Sequence, residues 1–195
     1  GVGIVGAIIF PVGFVMIILL GLELATGNFA LLPIAVKDKR IPLSKLAYNW
    51  TWVLLGNLLG SIIYAFLYTI VITKMGNIDP ETIVVAKKII AIAEGKTLGY
   101  AKFGFDGTIS AFTSAILCNW MVTLGAVMAF TATTTIGKIA AMWLPIMTFF
   151  ALGFEHAIVN MFVIPAGIML GANVTIANWW MYNEIPVLIG NVVGG

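Results

Sequence analysis

Long uncharged stretches make up most of the chain, and short polar segments separate them. The uncharged runs occupy residues 1–22, 46–73, 107–137, 139–154 and 157–183. A helix that crosses a bilayer needs about 20 apolar residues, so most of these runs are long enough to span one. Strands of a membrane barrel would instead show short alternating patterns. The pattern therefore predicts an all-α, multi-pass integral membrane protein.

One polar pattern occurs twice within these apolar runs. The segment at residues 21–29 recurs at residues 153–161 with its Gly, Glu, Ala and Asn at the same spacing, and the Gly-Asn-x-x-Gly at residues 56–60 recurs at residues 190–194. A glutamate at membrane depth is costly, so its repetition indicates a function. Duplicated polar breaks in membrane helices are typical of a transport pathway between two structural repeats.

The order of the segments predicts how the two repeats are related. The loop at residues 37–45 carries four basic residues and one acid, which places it in the cytoplasm. We count three membrane crossings between the two breaks. Because this number is odd, the two halves of the chain are predicted to have opposite orientations in the membrane. We therefore predict a single transporter domain with a first repeat at residues 1–73, an outer polar segment at 74–106 and a second repeat at 107–195.

The outer polar segment contains one predicted helix, which starts at Asp79-Pro80, ends near Gly95 and is amphipathic. We expect a surface helix on the outer face of the membrane; a role in gating the substrate is the alternative. We also expect the natural protein to continue at both ends, with one helix before Gly1 and most of a helix after Gly195.

Composition narrows the possible functions. The chain is 61% hydrophobic and 9% charged, against about 25% charged in soluble domains. A net charge of +2 does not indicate nucleic-acid binding. One cysteine and one histidine exclude a disulfide framework and a zinc cluster, so we expect no metal and no cofactor. An enzyme would need a nucleophile–base pair or clustered metal ligands, which favours transport over catalysis.

The two breaks hold the candidate functional residues. Glu23 and Glu155 are equivalent, and we expect each to accept hydrogen bonds from backbone N–H groups of its own loop; the alternative is a direct proton or cation site. Asn28 and Asn160 are expected to satisfy backbone groups where the next helix begins. His156 is the only histidine, and an imidazole titrates near neutral pH. It therefore predicts proton exchange with a weak-acid anion, or a switchable charge in the pore.

These motifs resemble the formate/nitrite transporter family of bacteria and archaea. The Gly-Phe-Glu-His at residues 153–156, followed by Asn-Met-Phe, is the most specific of them. The other matching stretches are residues 21–29, 56–60, 116–120, 137–138, 145–167 and 185–195. The resemblance implies an aquaporin-like protomer with an inverted 3+3 helix repeat, broken second and fifth helices, one pore per protomer, and assembly into a homopentamer in the plasma membrane.

The resemblance also implies roles for particular residues along the pore. Thr26 matches the family's pore threonine and Lys138 its lysine, while Asn119 and Asn191 match the asparagines near His156. For Lys138, the sequence alone leaves two interpretations open: anchoring a helix end by snorkelling, or attracting anions towards one mouth of the pore.

Apolar constrictions are expected on both sides of the histidine. Leu24 and Phe149 match positions that form these constrictions. Ala25 stands where the family frequently has a phenylalanine, so the constriction on that side is expected to be wider, and Phe14 is a candidate to fill the space. Such a constriction rejects a bare anion because desolvation is expensive, whereas a neutral acid passes. In this interpretation His156 gives a proton to formate between the constrictions. Formate is favoured; nitrite, hydrosulfide and a neutral-solute or water channel are the alternatives.

Overall fold

The computed structural model describes residues 2–195, and every regular element in that part of the chain is helical. Eleven α-helices follow one another in chain order. They are α1 (Val2–Ile9), α2 (Pro11–Leu20), α3 (Ala25–Lys37), α4 (Leu43–Thr73), α5 (Val84–Lys96), α6 (Leu98–Ala101), α7 (Gly104–Thr131), α8 (Thr135–Ala151), α9 (Ala157–Met169), α10 (Ile176–Trp179) and α11 (Ile185–Gly194). A 3₁₀ turn at Pro80–Thr82 precedes α5, and a π-helical turn at Trp180–Glu184 joins α10 to α11.

Several of these helices suit a bilayer by length and composition. Three apolar stretches reach spanning length, at Gly3–Leu20, Leu43–Thr73 and Gly104–Thr131, and α8 and α9 are shorter apolar helices. Large apolar side chains cover much of the outer surface of α4 and α7, as lipid-facing helices require. The prediction of an all-helical, multi-pass membrane protein is confirmed.

The first polar break separates α2 from α3 by four residues. The helix stops after Leu20 because Gly21 adopts a left-handed conformation (φ 67°), which glycine reaches without steric cost. Leu24 is extended (φ −123°, ψ 119°), and a new helix begins at Ala25. The break is shorter than the sequence indicated, because Asn28 already lies inside α3.

The second break repeats this backbone geometry between α8 and α9. Gly153 is left-handed (φ 70°), His156 is extended (φ −127°, ψ 115°), and the new helix begins at Ala157. The helices that follow the two breaks are both 13 residues long, and each has a proline at its ninth residue, Pro33 and Pro165. Leu24 and His156 therefore occupy the same backbone position in the two copies.

Helices α7 and α11 pack closely against each other near the second break. An ideal Cβ placed on Gly190 would lie 2.4 Å from the Phe112 carbonyl oxygen, and one on Gly194 would lie 2.3 Å from that of Ile116. Only glycine fits at either position, as in other close contacts between membrane helices. The related position in α4, Gly56, has open space where its Cβ would stand.

Helix α5 packs one face along α9. Its Ala86 and Ala93 are fully buried there, while the rest of the helix is exposed or half-buried. A Cβ on Gly167 of α9 would lie 2.4 Å from the Ala93 Cβ, so small residues on both helices allow the approach. As a result, the C-terminal end of α5 reaches the second break.

Candidate functional site

His156 lies at the start of α9 and is held at both ring nitrogens. Its Nδ1 accepts a hydrogen bond from the Val159 backbone N–H (3.2 Å), and its Nε2 is 3.0 Å from the Thr26 hydroxyl oxygen. Because Nδ1 accepts, the neutral ring carries its proton on Nε2 and donates it to Thr26. The imidazole stacks on the Phe149 ring at 5.7 Å and is only 5% exposed. The two breaks therefore meet through a His–Thr hydrogen bond.

Thr26 belongs to the first turn of α3, and its backbone is tied to α7. Its carbonyl oxygen accepts a hydrogen bond from the Asn119 amide (3.0 Å), which also donates to the carbonyl of Asn191 (2.6 Å). All three residues are fully buried. The structure thus brings together the predicted pathway residues His156, Thr26, Asn119 and Asn191.

Asn191 holds the backbone on both sides of the histidine. Its Oδ1 accepts from the Ala157 N–H (2.9 Å), and its Nδ2 donates to the carbonyls of Glu155 (3.1 Å) and Ala115 (2.9 Å). Both the N–H groups and the oxygen of the Asn191 side-chain amide are therefore hydrogen-bonded to the backbone. In this conformation Asn191 fixes the break instead of presenting its amide to a substrate.

Asn57 plays the same part at the first break. Its Oδ1 accepts from the Ala25 N–H (3.0 Å), and its Nδ2 donates to the Glu23 carbonyl (3.1 Å). These are the bonds that Asn191 makes at the second break, shifted by the repeat. The duplicated Gly-Asn-x-x-Gly pattern therefore supplies one clamp for each extended segment.

The Glu155 carboxylate is surrounded by four side-chain donors. Lys96 Nζ (2.8 Å), Asn160 Nδ2 (2.8 Å) and Asn183 Nδ2 (3.2 Å) donate to Oε2, while the Tyr100 hydroxyl (3.0 Å) donates to Oε1. The glutamate side chain is 3% exposed and the Lys96 side chain 20% exposed, so the ion pair joins a buried carboxylate to a partly exposed ammonium group. The expectation that backbone N–H groups of the loop hold this carboxylate is wrong, because side chains of α5, α6, α9 and the π-helical turn do so.

The Glu23 carboxylate has a simpler environment. Asn28 donates to it and also to Asn49 (2.8 Å), just as Asn160 donates to Glu155 and to Asn183 (2.8 Å). Within residues 2–195 no lysine or arginine lies within ion-pair distance of Glu23, which is exposed in the isolated chain. The two asparagines that follow the glutamates therefore link polar side chains and do not satisfy loose helix termini, contrary to the prediction.

An apolar cavity of about 180 Å³ opens beside the histidine. The three predicted constriction residues, Phe14, Leu24 and Phe149, all line it, and His156 is the only ionisable group in its wall. The sequence did not single out Phe10, which also lines this cavity and packs edge-on against Phe149.

A second cavity, of about 370 Å³, shares part of its wall with the first. Phe149, His156 and Val159 line both cavities. Lys88 and Lys96 of α5 line only the second. The histidine and its stacked phenylalanine thus stand where an apolar cavity meets one that carries two lysines.

The predicted pore lysine is not at this site. Lys138 lies in the first turn of α8, about 20 Å along the helix from its C-terminal end, and it lines neither cavity. The lysine that the structure places here is Lys96, which sequence reasoning missed together with Tyr100 and Asn183. Asn183 had a signal in the chain, since Asn49 precedes it by the same 134 residues that separate the two Gly-Asn-x-x-Gly patterns.

These features together define a class of protein. Two apolar helical runs are interrupted at equivalent points, their polar residues meet in the interior, and two cavities open on the meeting point. This arrangement is that of a membrane transport protein. The sequence model of the formate/nitrite transporter family matches residues 1–195, and the chain belongs to that family.

Named relatives agree with this assignment. A "Probable formate transporter" of Methanothermobacter thermautotrophicus is 39% identical over 194 residues, which cover 96% of this chain and 69% of the relative. The "Formate channel BtFdhC" of Bacillus thuringiensis is 37% identical over 197 residues, which cover 100% of this chain and 69% of the relative. The predicted family and the prediction of a transporter in place of an enzyme are both confirmed.

Solved structures support the same fold. A "Pentameric formate channel with formate bound" superposes with a TM-score of 0.78 at 29% identity, covering 98% of this chain and 78% of the other. An "FNT family ion channel" gives the same TM-score at 26% identity, and the match covers 98% of this chain and 72% of the other.

Proposed function

We propose that the protein carries formate across the plasma membrane together with a proton, and that His156 is the residue that handles the proton. The observation that carries the proposal is the position of this ring, which lines both cavities and hydrogen-bonds Thr26 of the other repeat. The named relatives are formate transporters or channels, which supports formate as the substrate.

The apolar cavity determines which form of the substrate passes. Its wall offers His156 as its only ionisable group, with Phe14, Leu24 and Phe149 among its apolar residues. An unpaired anion in such surroundings loses its hydration without compensation, whereas the neutral acid loses much less. Formate therefore crosses this region as formic acid, so each formate moves with one proton.

Proton transfer by His156 has a structural requirement. A neutral imidazole cannot give up its last N–H proton to a weak base such as formate, so the ring must first bind a second proton. That proton occupies Nδ1 and displaces the hydrogen bond from the Val159 N–H. The Nε2 proton then passes to a formate oxygen, with the Thr26 hydroxyl orienting the acid. Proton loading and release of the Val159 contact occur together.

The same site supports a two-repeat architecture. We place the inverted halves at residues 1–73 and 107–195, with the segment 74–106 between them. The support is the repeated backbone geometry at the two breaks and the repeated asparagine clamps, Asn57 and Asn191. In the whole protein we propose the aquaporin-like 3+3 arrangement with broken second and fifth helices. A homopentamer with one pore per protomer is supported by the pentameric state of a solved relative.

The proposal is tested by uptake into proteoliposomes that contain the full-length protein. Initial rates are measured for labelled formate, nitrite and hydrosulfide at about pH 5 and about pH 7.5, on either side of the usual imidazole range. The variant is His156→Asn, because asparagine keeps a helix-capping acceptor for α9 but carries no exchangeable ring proton. Thermal unfolding of the purified variant checks that the fold is retained.

Wild-type preference for formate, with a pH response that the asparagine variant lacks, supports both parts of the proposal. Preference for nitrite or hydrosulfide would retain the pathway and replace the substrate. Water permeation with no anion uptake would overturn the transport proposal and favour a neutral-solute channel. An unchanged pH response in the variant would remove His156 from proton handling.

A further inference from the structure

One face of α5 runs along the second cavity. Lys88, Ile92 and Lys96 follow one another at intervals of four residues, and all three line the cavity wall. Residues four apart lie on the same side of a helix, so these side chains form one row. Lys88 precedes Lys96 by eight residues, which corresponds to about 12 Å along the helix axis. Lys88 is exposed, whereas Lys96 reaches the buried carboxylate of Glu155.

The two lysines differ in how their charge is balanced. Lys96 is paired with Glu155 at 2.8 Å, so most of its charge is neutralised inside the protein. Lys88 has no carboxylate within ion-pair distance in the part of the chain that the structure describes. His156 is the only other ionisable side chain in this wall. The uncompensated positive charge on the cavity is therefore that of Lys88.

We propose that Lys88 recruits the substrate anion into the second cavity before the anion reaches Lys96 and His156. This inference rests on the proposed function, since it assigns a role within the same pathway. The ligand is a small monovalent anion, held loosely by a solvated ammonium group. A charge on the wall of a cleft raises the local concentration of the opposite ion and the rate of its capture.

The expected size of the effect is modest and depends on salt. For an anion about 6 Å from the ammonium group in a water-like dielectric, the attraction raises local occupancy about threefold. At about 1 M ionic strength the screening length falls to about 3 Å, and the gain disappears. Recruitment acts on the free anion, so it changes the KM of uptake and leaves the maximal rate unchanged.

The chain contains a matched control in the neighbouring residue. Lys87 carries the same charge on the same helix and is also exposed, but it does not line the cavity. Removing either lysine changes the net charge of the protein equally. Only the loss of Lys88 changes the charge of the cavity wall.

The experiment measures formate uptake kinetics in proteoliposomes for wild type, Lys88→Gln, Lys87→Gln and Lys88→Arg, at about 0.01 M and about 1 M ionic strength. We expect Lys88→Gln to raise KM about threefold at low salt and to match wild type at high salt. Lys87→Gln and Lys88→Arg should both match wild type at low salt.

Equal KM values for Lys88→Gln and Lys87→Gln at low salt, with normal wild-type uptake, would overturn the role of Lys88 and leave the proposed function standing. A lower maximal rate for Lys88→Gln at both salt concentrations would also overturn it, because that result indicates a structural role. Absence of formate uptake by the wild type would instead contradict the proposed function itself.

Discussion

Replacing each of the two clamp asparagines by leucine should destabilise the protein to very different degrees. Leucine has the same branched heavy-atom skeleton as asparagine, although it is larger, and its side chain makes no hydrogen bonds. At Asn191 the change leaves two buried backbone groups without partners, the Ala157 N–H and the Glu155 carbonyl, and it removes an additional donor from the Ala115 carbonyl inside α7. A buried polar group that loses its partner costs about 1 to 3 kcal/mol, so the loss at this position is roughly 2 to 6 kcal/mol.

The matched change at Asn57 removes only two hydrogen bonds, at a partly exposed position. Net contributions of about 0.5 to 1.5 kcal/mol per bond predict a loss of roughly 1 to 3 kcal/mol, towards the lower end because water can replace the partner there. The free energy of unfolding in mild-detergent micelles, from denaturant titration followed by tryptophan fluorescence, measures both losses. Formate uptake by the same samples gives the functional consequence.

Two results would refute this reasoning. Equal losses for Asn191→Leu and Asn57→Leu would mean that burial does not set the cost of losing a clamp. An Asn191→Leu variant with wild-type stability and no formate uptake would mean that this amide contacts the substrate, as the sequence resemblance implied, and is not a backbone clamp.

Two further predictions concern the surroundings of His156. Lys96→Met should lower the free energy of unfolding by about 3 to 5 kcal/mol, because it leaves the buried Glu155 carboxylate without a cation. The double variant Lys96→Met/Glu155→Gln should recover most of this loss. Additive losses of stability in the two single variants would contradict a coupled pair. Phe149→Leu should admit larger weak acids such as acetate while costing only about 1 kcal/mol of stability, since the apolar volume changes little. Uptake of labelled acetate against formate measures this effect, and an unchanged ratio would show that Phe149 does not set the width of the pathway.

The positions of the two breaks were predictable from the sequence, but the environment of their carboxylates was not. Glycine and glutamate inside apolar runs are costly without a structural purpose, so Glu23 and Glu155 stood out at once. Two of the four partners of Glu155, Lys96 and Tyr100, come from α5 and α6, and the spacing of apolar residues in α5 is that of any amphipathic helix. Such a pattern is the same whether the polar face meets water or a buried carboxylate, so Lys96 and Tyr100 gave no signal.

The resemblance identified most of the residues near His156 but misplaced one. Thr26, Asn119 and Asn191 do converge on the histidine. Lys138 does not lie near the histidine. It was matched to the family's lysine by its position along the chain, whereas the depth of a charged side chain depends on how the helices pack. The structure therefore reassigns the positive charge at the site to a different segment.

The fit between α7 and α11 has a consequence for how the protein moves. Neither Gly190 nor Gly194 has room for a methyl group, so sliding one helix past the other by a turn would push backbone against backbone. Asn191 lies between these glycines, and its bonds around His156 are therefore anchored to a closely packed pair of helices. A passage past His156 must therefore open through the side chains that line the cavities or through helices other than this pair.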